Sequence, residues 1–135
     1  MKLNSKLNAF TLPELLVVLV IIGILILLAL PELMPLVTRA HSLEAKNGLK
    51  MVQTLEKTYF YEYSKFTTDL DAIGFEQQKL VTEGKGNAKY HIEIVEASTT
   101  TFLARATAVV DFDGDGQFNV WEISDKGDLK EVVKD

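Results

Sequence analysis

Ala9-Phe10-Thr11-Leu12-Pro13-Glu14-Leu15 runs directly into an apolar stretch that continues unbroken to Leu30. A short leader precedes it, carrying Lys2 and Lys6 and no acid. In a secretory signal the small-residue cleavage site follows the apolar region, so the apolar part is discarded. Here the small residue, Ala9, comes before it. Cleavage after Ala9 would remove the charges and keep the apolar segment. As a helix, Phe10 to Leu30 would be roughly 31 Å long, close to the ~30 Å hydrocarbon core of a bilayer. The charged leader predicts a cytoplasmic N-terminus and an exported remainder.

Glu14 does not belong in a plain anchor. An acid at membrane depth is costly unless paired, which makes it a functional candidate by default. It also fits a capping box, with Thr11 at the N-cap and Glu14 three residues on. Pro13 is then tolerated, because in the first helical turn its missing N–H would have had no partner anyway.

The order small residue, Phe10, Thr11, Leu12, any residue, Glu14, Leu15 and apolar helix resembles the prepilin family, which comprises type IV pilins and the pseudopilins of type II secretion. Two positions depart from the pattern. Ala9 stands where the family usually has Gly, and Pro13 where it usually has a large apolar residue. The resemblance implies processing by a prepilin peptidase between Ala9 and Phe10, an assembly role for Glu14, and a homo-oligomeric helical filament built with inner-membrane assembly machinery. In that family the matching glutamate pairs with the N-terminal amine of a neighbouring subunit, often methylated. The implied locations are a single-pass inner-membrane precursor, with its globular domain in the periplasm or at the cell surface, and then the filament. Residues 1–9 are read as leader, 10–33 as membrane and filament-core helix, and 34–135 as the exported domain.

Pro31 and Pro35 each remove a helical hydrogen bond just past the apolar run. Either the helix ends at the membrane surface or a second half continues outward. Leu49, Val52, Leu55, Tyr59 and Tyr63 recur at spacings of three and four, so a second, amphipathic half is expected over Met34 to Tyr63. Beyond it, Ser64 to Gln78 reads as a connecting loop. Tyr90, Ile92 and Ile94 alternate with His91, Glu93 and Val95 as in a half-buried strand. Phe102 to Val110, Val120 to Ile123 and Leu129 to Val133 read as three more. The fold class is α+β: a long N-terminal helix packed on a small antiparallel sheet, with a C-terminal calcium loop.

That loop is Asp111-Phe112-Asp113-Gly114-Asp115-Gly116-Gln117-Phe118-Asn119-Val120-Trp121-Glu122. It follows the twelve-residue EF-hand pattern, with acids at positions 1, 3 and 5 and Gly116 at the sharp turn. Gln117 would offer its backbone carbonyl, Asn119 could hold a water, and Glu122 would close the shell. The expected metal set is therefore Asp111, Asp113, Asp115, Gln117 and Glu122, with calcium as the ion. An EF-hand has flanking helices, whereas these flanks read as strands. If Trp121 and Ile123 face the core, Glu122 points away and Asp125 or a carbonyl must substitute.

The chain has 135 residues and no cysteine, so disulfides and thiolate chemistry are excluded. Its formal charge of −5 would become −7 on losing Lys2 and Lys6, which argues against a nucleic-acid partner. His41 and His91 are isolated and read as surface residues. No nucleophile with a base, phosphate loop or His pair is present, so an enzyme is not expected. Small size, absent cysteine and the acidic loop resemble major pseudopilins, which points to a type II secretion subunit. The alternatives are a type IV pilus subunit for adhesion, motility or DNA uptake, and a membrane-tethered calcium-binding module.

Overall fold

The computed structural model describes residues 9–135; the leader before Ala9, with Lys2 and Lys6, lies outside the described residues. A 52-residue helix, α1 (Leu12–Tyr63), is followed by four strands, β1 (Tyr90–Ala97), β2 (Phe102–Ala108), β3 (Val120–Ser124) and β4 (Leu129–Val133). The chain divides after Pro35 into two compact units, each described in turn.

In the first unit, the start of α1 is fixed by the capping box. The Thr11 backbone N–H donates to Glu14 Oε2 at 2.8 Å, and the Glu14 N–H returns to Thr11 Oγ1 at 3.4 Å. An 18-residue window of this helix has mean hydropathy 3.0 and none of it is buried, so α1 is long and apolar enough to cross a membrane. Pro31 and Pro35 lie inside the helix, so neither ends it. Each lacks the N–H that would reach the carbonyl four residues back.

In the second unit, the helix stops where Ser64 takes φ 55°, the left-handed conformation that ends many helices. The strands form one antiparallel meander in the order β1-β2-β3-β4. Period-two alternation places Tyr90, Ile92, Ile94, Phe102, Ala104, Ala106, Ala108 and Ile123 on the buried face. Ala45, Leu49 and Val52 complete the core from α1. The alanines of β2 and Gly48 let helix and sheet approach closely. A Cβ at Gly48 would collide with Ile92 Cδ1.

The apolar stripe of α1 differs from the expected one. Ser42, Ala45, Leu49, Val52 and Glu56 are buried, Leu55 and Tyr59 pack at the margin, and Tyr63 is 58% exposed. By the 3.6-residue period Glu56 and Tyr63 fall on the same face as Ala45, and of the two only Glu56 is buried. Strand β2 stops at Ala108, two residues short of expectation, although the Val109 N–H still bonds the Lys89 carbonyl at 2.8 Å, in line with the β1–β2 register.

The outer edge of β1 is closed by side chains. Gln77 donates from Nε2 to the Tyr90 carbonyl at 3.1 Å and accepts the Ile92 N–H on Oε1 at 2.9 Å, imitating a neighbouring strand. Glu44 on α1 accepts the N–H groups of Lys89 and Tyr90 at 2.8 and 3.3 Å. Such plugs occupy ladder groups that would otherwise recruit another strand.

Candidate functional sites

Glu14 sits in the first turn of α1, within the apolar unit. Its Oε2 accepts from both the Thr11 N–H and the Thr11 hydroxyl, the latter at 2.9 Å. The local turn thus uses one carboxylate oxygen. Ala9 and Phe10 are exposed and precede the helix, Phe10 at 83%. An accessible, non-helical backbone at this point suits a peptidase better than a helix would.

The acidic loop joins β2 to β3. Asp111, Asp113 and Asp115 bring carboxylate oxygens within 4.8 Å of one another. The curvature comes from Gly114 and Gly116, at φ 80° and 88°, which only glycine adopts without strain. Asp111 closes the turn by accepting the N–H groups of Gly114 and Gly116 at 2.6 and 2.8 Å. Asp115 accepts the Gln117 N–H at 2.7 Å, and Asp113 accepts the Asp115 N–H at 3.0 Å. The Gly116 N–H lowers Asp111 most, burial opposes it, and the N–H groups of Gly114, Asp113 and Asp115 add to the lowering, so Asp111 lies below the usual carboxylate range. For Asp113 the Asp115 N–H acts downward, but burial and the charges of Asp115, Asp135 and Asp111 outweigh it and raise the group. An anion crowded by three others is what a divalent cation would relieve.

Glu122, expected to close a metal shell, is elsewhere. Register pairs it with Arg105, on the face of the sheet away from the core. Arg105 Nε donates to Glu122 Oε1 at 2.8 Å, and the guanidinium Nη2 lies 2.6 Å from the same oxygen. The reason is strand parity: Trp121 and Ile123 turn inward, so Glu122 turns outward. Gln117 is exposed, and its side chain bonds Asp115 Oδ2 at 3.2 Å.

Asn119 is no loop ligand either. It is fully buried, accepts the Tyr90 hydroxyl on Oδ1 at 2.8 Å, and donates to Glu131 and to the Val133 carbonyl. Burial pushes the Tyr90 hydroxyl up to about 12, so it stays a neutral donor. The unforeseen member of the loop is Asp135, which accepts the N–H groups of Phe112 and Asp113 at 3.1 and 3.2 Å. Phe112 in turn stacks on His41, centroids 4.6 Å apart, so His41 is half-buried rather than a surface residue. Its imidazole is held below its usual value, first by burial and then by the Lys89 ammonium.

The oxygen donors of Asp111, Asp113 and Asp115 fit a hard cation in kind. Among the described residues no further carboxylate joins that group of three. A calcium ion would be held there by these three aspartates, with water or backbone oxygens making up its coordination.

Comparison with known proteins bears on the first unit most directly. The model of the prokaryotic N-terminal methylation motif matches residues 4–30. The chain is 35% identical over 78 residues to the type IV major pilin protein PilA of Myxococcus xanthus. That match covers 58% of this chain and 36% of the relative, so the chain spans about a third of that protein's length. At its N-terminus the chain thus carries the methylation motif, and over these 78 residues it is similar to a type IV major pilin.

Proposed function

We propose that this protein is the structural subunit of a type IV filament, cleaved between Ala9 and Phe10 and assembled by packing of α1. One observation carries the reading: Glu14 lies in the first turn of α1, directly before its apolar run to Leu30 and inside the methylation motif at residues 4–30. A plain anchor gains nothing from that acid. The role is structural, not enzymatic. The filament is read as a surface pilus, favoured by similarity to a protein named as a major pilin. A type II secretion pseudopilus is the second reading, favoured by a cysteine-free chain with an acidic loop. Replacing Ala9 by Arg is the test of processing. The expected result is full-length precursor accumulating in the membrane, seen by immunoblot; unchanged cleavage would contradict the assigned site.

Calcium is proposed as a stabiliser of the β2–β3 loop, held by Asp111, Asp113 and Asp115. In a thermal melt of the full chain in detergent, calcium is expected to raise the midpoint by several degrees, through ligand linkage. Asp113→Ala is expected to remove that rise and to leave the melt in chelator unchanged. A loss of equal size with and without calcium would reduce the loop to an acidic turn.

A further inference from the structure

Glu56 is the one acid in the buried stripe of α1. Its side chain is fully buried, one turn beyond Val52 and in line with Ala45 and Leu49. Oε2 accepts the Thr67 N–H at 3.3 Å, and Oε1 is buried with no partner. That is poor provision for a charge. A buried carboxylate normally gathers several donors or a cation. Among the described residues Glu56 has neither.

The surrounding charges do not help. On the connecting segment Lys65, Asp69 and Asp71 are exposed. On the helix Lys57 and Glu62 are exposed, and Glu96 of β1 likewise. At the β3–β4 turn, Asp125 is half-buried and Lys126 exposed. None of these makes a hydrogen bond or ion pair with Glu56. Burial therefore acts first and raises the carboxyl, with the Thr67 N–H opposing it.

Thr67 is the foot of a relay. The Asp69 N–H donates to Thr67 Oγ1 at 3.1 Å, and the Asp71 N–H to Asp69 Oδ1 at 3.0 Å. Just before it, the Phe66 N–H binds the Ser98 carbonyl at 3.0 Å, and the Phe66 ring stacks on Phe60 and packs at a tilt against Phe102. The turn over residues 67–72 thus reaches α1 through the Glu56 carboxyl.

We propose that Glu56 is a proton-operated latch: its neutral carboxyl fastens residues 64–75 onto α1, and its ionisation releases them. A neutral carboxyl still accepts the Thr67 N–H, and only the ionised form must seek water. The sign follows from linkage. With the folded group raised above its unfolded value, the folded state holds the proton more tightly. The stabilisation is complete below the unfolded value and is lost as pH rises through the folded one.

The test is amide hydrogen exchange of the full chain in detergent from pH 5 to 9, corrected for intrinsic rates. In the wild type, opening of residues 67–72 is expected to increase with pH, by up to about tenfold per pH unit between the unfolded and folded values and levelling off above the folded one, while β2 stays unchanged. Glu56→Gln keeps an acceptor for Thr67 and cannot ionise. It is expected to hold the low-pH protection throughout. A pH-independent wild type, or a Glu56→Gln profile that matches the wild type, would overturn the latch. Should the variant fold poorly, a carboxyl 13C titration of the wild type decides the same question. A Glu56 midpoint above the other glutamates supports the latch, and a midpoint among them overturns it.

Discussion

Glu14→Ala is expected to leave the protein cleaved and in the membrane but to abolish filaments. Losing the cap at the start of α1 costs the helix only about 0.5–2 kcal/mol. A 52-residue helix with a stretch long and apolar enough to cross a membrane does not depend on that turn. Assembly is different, because a carboxylate in an apolar surround gains strongly from a positive partner, and an N-terminal amine of another subunit supplies one. Glu14→Gln separates the two roles. Glutamine serves a capping box as well as glutamate does, yet carries no charge. Filaments in the alanine variant would dismiss Glu14 from assembly altogether. Filaments in the glutamine variant alone would make the residue a cap. Loss of filaments in both, with cleavage intact, is the result expected of charge pairing, and electron microscopy of sheared material reads it.

Asn119→Ala is expected to cause the larger loss of stability. Asn119 is the polar centre of the second unit: it joins Tyr90 of β1, Glu131 of β4 and the Val133 carbonyl. Alanine would take from the buried Tyr90 hydroxyl its Asn119 acceptor and from the carbonyl this donor. Each unsatisfied buried group costs ~1–3 kcal/mol, so a total of about 3 kcal/mol is expected. For a domain of this size, each kcal/mol lowers the thermal midpoint by roughly 4–8 °C. Tyr90→Phe removes one bond only and is expected to cost ~1–2 kcal/mol. In the double variant the hydroxyl is absent too, so the combined loss is expected to be smaller than the two single losses added. Strict additivity in denaturant melts would show that the pair does not act as a unit.

These residues differ in how far local sequence foretold their partners. Thr11 to Glu14 spells its own capping box, because both partners lie within one helical turn. Strand alternation at Tyr90, Ile92 and Ile94 is likewise local, and the buried face follows it. Glu122 shows where local reading stops. The aspartates of the acidic loop lie close in sequence, but the partner of Glu122 was decided by strand register, and Arg105 lies 17 residues away. Parity does show that Glu122 and the inward Trp121 cannot share a face. Asn119 has the right chemistry for a loop ligand, and only the fold brings Tyr90 to it. Asp135 enters the loop over 22 residues, which no spacing rule anticipates. Glu56 was hidden for a different reason: a polar residue in an amphipathic helix is assigned outward by default, and its angular position argued otherwise. Pro31 and Pro35 left two outcomes open, and the helix runs through both.

Filament membership is tested most sharply by the mass of this chain's N-terminal peptide, recovered separately from sheared surface filaments and from membranes. A processed pilin subunit is expected in the filament fraction as a chain that begins at Phe10. A chain that begins at Met1 and is confined to the membrane fraction would contradict that role.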